Sequence, residues 1–189
     1  MKVKLNPAFE GMSGMLGEIV FRELRGKTVI SRKPEVSNTP PSAGQSAHRE
    51  RFKLAAAYGK SAMSNNAIRA LYEEAAKRRD IPVFSVMVAD YFNAPTLNDL
   101  DLSAYNGQVG DLIHVTASDD FGVANVYVSL NTAEGTSFES GDAVETAPGS
   151  GHWTYSTQSV IASGAQVFVN ATATDHPGGT ALLTKKKTF

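Results

Sequence analysis

The sequence contains no cysteine, no long apolar run and no overall excess of charge of one sign. Without cysteine the chain can form no disulfide, and it offers no thiolate for zinc binding or nucleophilic catalysis. No segment approaches the roughly 20 apolar residues that a membrane-spanning helix needs, and the first residues lack the apolar core of a signal peptide. We therefore expect no membrane span and synthesis in the cytoplasm, with an extracellular assembly or a virion as candidate final locations.

Residue patterns that carry catalytic chemistry are also missing. The four histidines lack the short spacing of a zinc site. The glycine-rich stretch GMSGMLG has neither the strand-to-helix context of a nucleophile elbow nor the Lys-Ser/Thr ending of a phosphate loop. We predict that the protein is not an enzyme and has no cofactor, with calcium as the one candidate ion.

Charge is distributed unevenly along the chain. Residues 1–92 contain 15 Lys and Arg against 9 Asp and Glu, a net +6, whereas residues 93–189 contain 3 against 10, a net −7, which together give −1. Regions of opposite net charge attract one another. We expect this attraction to act within one molecule or between molecules.

Residues 1–45 are predicted to form an N-terminal arm with a β-hairpin and a Pro-rich linker. The Gly- and Met-containing start suits docking on another surface, and IVFRELRGKTVI has the composition of two strands joined at Arg25-Gly26. An isolated hairpin is marginally stable in water, so its apolar side chains need a cover. The predicted anchors in this assembly contact are Ile19, Phe21, Val29 and Ile30.

Residues 46–93 have the 3.6-residue periodicity of a helical domain. Three helices are predicted, the second beginning near the Ser-Asn-Asn break at residues 64–66 and the third following Pro82. Their predicted apolar faces are Phe52, Ala55, Ala56, Gly59 and Met63 in the first helix, Ile68, Leu71, Tyr72 and Ala75 in the second, and Phe84, Met87, Val88 and Tyr91 in the third.

Residues 94–189 show the alternation of short strands separated by turn residues. Val126, Val128 and Leu130 alternate with polar residues, and about seven such strands in this length are typical of an immunoglobulin-like sandwich. The segments IHVTASDDFGVANVYVSL and VFVNATATDHPGGTALL resemble bacterial Ig-like domains, in which strands end in Ala-x-Asp loops. The resemblance implies an all-β Ig-like sandwich over residues 95–189 and no particular function.

The N-terminal half is similar to uncharacterised bacterial and phage-like proteins, through its Gly-Lys hairpin and the stretches TPPSAGQSAHRERF and LYEEAAK. The predicted fold class is therefore α+β and multidomain, with a small N-terminal hairpin, a helical domain and a C-terminal sandwich.

Two groups of charged residues are candidate sites. Asp119, Asp120 and Asp175 fall in loops that an Ig-like topology brings to one pole, where clustered carboxylates could bind calcium. The alternative is that these aspartates cap their own turns. The second group is a basic surface on the hairpin, formed by Arg22, Arg25, Lys27, Arg32 and Lys33. Acidic residues are interspersed with it, which favours a mixed-charge surface over a phosphate-binding track.

These features together predict a non-enzymatic, self-assembling structural subunit of a filament, tube or virion-like particle. The N-terminal arm would exchange or add strands on a neighbour, so a homo-oligomer or polymer is expected. One alternative is a nucleic-acid-associated protein that uses the basic hairpin. The other is an adhesion or carbohydrate-binding module that exposes Trp153, Tyr155 or Tyr127 on the sandwich, although core packing of the first two is the favoured interpretation.

Overall fold

The computed structural model describes residues 9, 11–24, 26–35 and 40–189. Over these residues the chain is α+β, with three helices and three antiparallel sheets. It divides into two compact units, Met1–Gly44 and Gln45–Phe189. Elements on both sides of the predicted boundary between residues 93 and 94 belong to the second unit. Across the described ranges, no helix has both the length and the apolar character needed to cross a membrane.

The first unit contains one small sheet. Its strands are β1 (Gly14–Leu16), β2 (Ile19–Leu24) and β3 (Lys27–Arg32), in the order β1-β2-β3. Gly26, in the turn between β2 and β3, has φ +68°, a conformation that glycine adopts at low cost. Its predicted turn partner Arg25 lies outside the described residues. Part of the Gly- and Met-containing start, predicted as an arm for docking on another surface, instead supplies β1 and pairs with β2.

Three helices follow, α1 (Ala43–Ser64), α2 (Asn66–Arg79) and α3 (Val83–Phe92), and all but the first two residues of α1 belong to the second unit. Asn65 caps α2, because its Oδ1 accepts hydrogen bonds from the backbone N–H groups of Ala67 and Ile68 at 3.0 and 3.3 Å. The helix ends at Asp80, which is left-handed with φ 51°. The three predicted helices are confirmed, and α1 starts three residues before the predicted position 46.

Each helix buries only part of the apolar face that was predicted for it. Their core consists of Ala62, Tyr72, Ala75, Ala76, Val86 and Met87. Leu71 and Phe52, predicted to face inward, are each 50% exposed. Leu71 precedes Tyr72 and so lies about 100° around the helix from the face that Tyr72, Ala75 and Ala76 share. On α3 the buried residues are Val86, Met87 and Asp90, so a carboxylate occupies a position of the apolar face.

Eight strands follow the helices in two four-stranded sheets. They are β4 (Thr96–Asp101), β5 (Leu112–Ser118), β6 (Val123–Asn131), β7 (Ser137–Asp142), β8 (Val144–Glu145), β9 (His152–Ser156), β10 (Gln166–Asp175) and β11 (Thr180–Thr188). The sheet orders are β11-β10-β6-β7 and β4-β5-β9-β8. Eight strands are present where about seven were predicted, and β8 has only two residues.

The two sheets enclose one core, which gives the second unit a sandwich-like body. Inward-facing positions of β5, β6 and β10 supply most of it, including Val115, Val128 and Val169. Trp153 and Tyr155 are buried in the same core, which confirms that they pack internally. Alternate positions of β6 and β10 are buried, as expected for strands with one buried face.

Two glycines bind the loop before β9 to the end of β8. The backbone N–H groups of Gly149 and Gly151 donate to the two carboxylate oxygens of Glu145 at 3.1 and 3.0 Å. Both glycines have positive φ, of 72° and 70°. They differ in their surroundings, because a Cβ at Gly151 would lie 2.5 Å from the carbonyl oxygen of Ala117, whereas a Cβ at Gly149 would meet nothing within 4 Å.

We predict that Gly151→Ala destabilises the protein more than Gly149→Ala does. Both substitutions place an L residue in the left-handed region, at a cost of roughly 1–2 kcal/mol. Only the first also forces a methyl group into backbone, which adds roughly 1–3 kcal/mol. Chemical denaturation of the two variants measures the difference, and equal losses would show that β5 and this loop separate readily.

Candidate functional site

The N-terminal sheet has two different faces, which follow from its strand register. Phe21 pairs with Ile30 and Gly14, and Ile19 pairs with Leu16 and Arg32. Directly opposed residues in antiparallel strands point to the same side. We call this side the apolar face and define it by Leu16, Ile19, Phe21 and Ile30. The predicted anchor Val29 alternates with Ile30 and therefore points to the opposite side.

Little of the apolar face is covered by the part of the chain that the structure describes. Phe21 is 5% exposed, partly because the ring of Phe9 stacks on it with the centroids 5.9 Å apart. The neighbouring Ile19 and Ile30 remain 42% and 40% exposed. Phe21 is the one buried residue among those described in the first unit. The sheet therefore has almost no core of its own.

The basic residues of the hairpin do not form one surface. Arg22 and Lys27 lie on the side opposite the apolar face, together with the exposed Met15 and Leu24. Arg32 pairs with Ile19 on the apolar face, and Lys33 follows the end of β3. The remaining predicted member, Arg25, lies outside the described residues. Because Arg22 and Lys27 lie on one side of the sheet and Arg32 lies on the other, these cations do not make a continuous phosphate track.

A second feature lies in the other unit, where the helices meet the sandwich. Phe121, in the loop between β5 and β6, stacks on Tyr72 of α2 with ring centroids 4.0 Å apart. In the same loop the carbonyl oxygen of Asp120 accepts a hydrogen bond from Arg79 at 2.7 Å, and its Oδ2 accepts one from Asn93 at 3.1 Å. The helical layer is thus joined to one loop by aromatic stacking and hydrogen bonds.

A buried carboxylate lies beside this contact. Asp90 of α3 is 1% exposed, and its Oδ2 accepts a hydrogen bond of 2.5 Å from the hydroxyl of Tyr72. That hydroxyl is also 2.8 Å from the hydroxyl of Tyr58. Because Tyr72 has one proton and donates it to Asp90, Tyr58 is the donor in the second bond. The other oxygen of Asp90, Oδ1, is buried and has no hydrogen-bond partner among the described residues.

Three aspartates converge at the junction of α3 with the β5–β6 loop. Carboxylate oxygens of Asp90, Asp119 and Asp120 all lie within 4.8 Å of one another. We call this group the acidic junction. Asp119 Oδ1 accepts from the N–H groups of Phe121 and Gly122 at 2.8 and 2.9 Å, which is the turn capping considered from the sequence.

Asp175, the third predicted ligand, lies outside the acidic junction. Its Oδ1 accepts a hydrogen bond from the backbone N–H of Gly179, which closes the loop between β10 and β11. Asp90 takes its place near Asp119 and Asp120. Sequence reasoning missed Asp90 because the residue sits in the helical segment, although one carboxylate in the otherwise apolar VFSVMVADYF was a visible signal.

Burial dominates the electrostatics of the junction. It raises the pKa of Asp90 to about 7, and the negative charges of Asp119, Asp175 and Asp120 act in the same direction. The hydrogen bond from Tyr72 opposes this rise by stabilising the carboxylate. Burial also raises the pKa of Asp175, against the effect of the Gly179 N–H. The junction therefore joins one buried, one half-buried and one exposed carboxylate, and none of the ion pairs found in the described residues involves them.

The aromatic residues considered for carbohydrate binding are mostly internal. Trp153 and Tyr155 are buried, and the hydroxyl of Tyr155 donates to Glu139 at 2.9 Å. Tyr127 is 41% exposed, and its hydroxyl donates to Ser140 on the neighbouring strand at 2.7 Å. Trp153 and Tyr155 therefore form no exposed stacking platform.

Comparisons with known proteins assign this chain to no family. No protein-family model matches it, and no curated protein matches it. The crystal structure of CopC from Methylosinus trichosporium OB3b is 19% identical over 49% of this chain and 89% of that one, with a TM-score of 0.37. The crystal structure of an engineered protein is 19% identical over 55% of this chain and 26% of that one, with a TM-score of 0.36. Both are β-rich, and a likeness at this level carries no argument about this chain.

We predict that Tyr72→Phe destabilises the protein by roughly 1–3 kcal/mol, because the buried carboxylate of Asp90 then loses its donor. Tyr58→Phe is the matched control, since it removes a hydroxyl from the same chain of hydrogen bonds and leaves the bond to Asp90 in place. Its expected cost is about 1 kcal/mol or less. Denaturant titrations of both variants give the comparison, and an equal or larger loss for Tyr58→Phe would contradict the assigned direction of these bonds.

Proposed function

We propose that the protein is a non-enzymatic structural subunit that assembles with further copies of itself through the N-terminal sheet. The observation that carries the proposal is the exposure of the apolar face around a single buried side chain, Phe21. Three short strands with so little buried area are marginal in water. A partner that covers Ile19 and Ile30 would remove apolar surface from water at about 25 cal/mol per Å².

The free edge of the sheet supports strand addition as the mode of contact. β3 pairs with β2 on one side, and no strand within the described ranges pairs with its other side. Its six residues Lys27–Arg32 thus present unpaired backbone donors and acceptors. An added strand would satisfy these groups and extend the apolar face at the same time.

Charge supports a second copy as the partner. Residues 1–44 contain 7 Lys and Arg against 4 Asp and Glu, a net +3, whereas residues 45–189 contain 11 against 15, a net −4. The sheet of one molecule would thus be attracted to the body of another. A head-to-tail contact of this kind repeats along a filament or closes into a ring.

The strand orders support the finer assignment of the body as Ig-like. If β4 to β11 are labelled A, B, C, C′, D, E, F and G in chain order, the two sheets read A-B-E-D and G-F-C-C′. These are the strand neighbours of an immunoglobulin-like sandwich with one additional C′ strand. Such a body would be the outer, rigid part of the assembled subunit.

We predict that the full chain forms large regular particles and that Ile30→Lys prevents them, because a charge then lies in the apolar contact. The matched control is Leu71→Lys, which places the same charge at a comparably exposed apolar residue of α2. Light scattering coupled to size exclusion and negative-stain microscopy give the particle size. Nuclease-treated samples exclude assembly on nucleic acid, and added salt should weaken the charge-driven part of the contact.

Two results would contradict this proposal. One is a full chain that stays monomeric at high concentration and low salt. The other is assembly that survives Ile30→Lys as well as it survives Leu71→Lys, which would place the contact elsewhere. Assembly that disappears after nuclease treatment would favour the nucleic-acid-associated alternative.

A further inference from the structure

The acidic junction brings together carboxylates from two separate parts of the chain. Asp90 belongs to α3, whereas Asp119 and Asp120 belong to the loop between β5 and β6. Their oxygens lie within 4.8 Å of one another. Like charges at this separation repel, and the repulsion is stronger where water is excluded. Something must offset it if all three groups are ionised.

The protein itself supplies little compensation. Asp90 Oδ1 and Asp119 Oδ2 are both buried, and neither has a hydrogen-bond partner within the described residues. The ion pairs found in those residues involve other carboxylates, namely Glu50, Glu73 and Asp99. The guanidinium of Arg79 donates to the backbone oxygen of Asp120 rather than to its carboxylate. Two buried oxygens are therefore available as ligands.

We propose that Asp90, Asp119 and Asp120 bind one calcium ion, which ties α3 to the β5–β6 loop. The ligands are hard oxygens, which calcium prefers. Calcium–oxygen bonds are about 2.3–2.6 Å long, so two ligands on opposite sides of the ion are separated by about 4.6–5.2 Å. Magnesium has bonds of about 2.0–2.1 Å and demands near-ideal octahedral geometry, so calcium tolerates a wider range of ligand separations.

The exposure of the three residues indicates how the coordination would be completed. Asp90 and Asp119 would contribute their buried free oxygens, and the exposed Asp120 would contribute from the solvent side. Water can fill the remaining positions there, since calcium takes 6–8 ligands in flexible geometry. Asp175 is not a ligand in this arrangement, because its Oδ1 is engaged by Gly179.

Calcium titration of the chelator-treated full chain by isothermal calorimetry is the direct test, together with thermal unfolding at matched ionic strength. We expect one calcium per chain and a melting temperature that rises with calcium, because a ligand that binds only the folded state stabilises it. Magnesium at the same concentration should give a smaller shift. Absence of both heat and a calcium-specific shift would overturn the proposal.

Substitutions at two proposed ligands and at two control residues test the ligand set. Asp90→Asn and Asp120→Asn should each weaken calcium binding at least tenfold, and Asp120→Asn is the safer variant for folding because the residue is exposed. Asp175→Asn should weaken binding only a few-fold, through lost negative potential, and Asp142→Asn on β7 serves as the distant control. If Asp120→Asn binds as tightly as the parent, or Asp175→Asn abolishes binding, the assigned ligand set is wrong.

Discussion

Tyr72 is fully buried, and its ring and hydroxyl contact different parts of the second unit. The ring stacks on Phe121 of the sandwich loop, while the hydroxyl donates to Asp90 of α3. One side chain of α2 is therefore in contact with both α3 and the loop between β5 and β6. The constraint it imposes is strict, because a ring centroid separation of 4.0 Å and a hydrogen bond of 2.5 Å fix the loop and α3 relative to α2 at once. The convergence of Asp90 with Asp119 and Asp120 is a consequence of that arrangement.

The two units differ in how much apolar surface they bury. The second unit has two apolar clusters, one among the helices and one between the sheets, with Phe121 packed against the first. The first unit has a sheet in which Phe21 is the buried residue among those described. A unit of 44 residues is near the lower limit at which a chain buries enough surface to be stable alone. A partner that covers the exposed Ile19 and Ile30 would remove apolar surface from water, and this is the basis for proposing assembly there.

Sequence periodicity predicted most of the helices and strands but not the contacts between them. The alternation in β6 and β10 and the cap at Asn65 identified their elements correctly, because these signals are local. β4 was missed because its stretch TLNDLD is rich in turn-forming residues and is a strand only through its pairing with β5. Two of the three residues of the acidic junction were predicted from the sequence. Asp119 and Asp120 follow a strand and were visible as loop carboxylates, whereas the approach of Asp90 depends on how α3 packs, which no spacing in the sequence encodes.

The boundaries of the two units also show how much of the opposite charge along the chain lies within one unit. The helical residues 45–92 contain 8 Lys and Arg against 5 Asp and Glu, a net +3, and they share a compact unit with the sandwich residues 93–189, whose net charge is −7. Part of the attraction inferred from the sequence is therefore available within the second unit. What is left for contacts between molecules is the net +3 of residues 1–44 against the net −4 of residues 45–189. Because exposed charges are screened over about 8–10 Å at ordinary salt, this remainder can guide two copies together but cannot hold them without the apolar face.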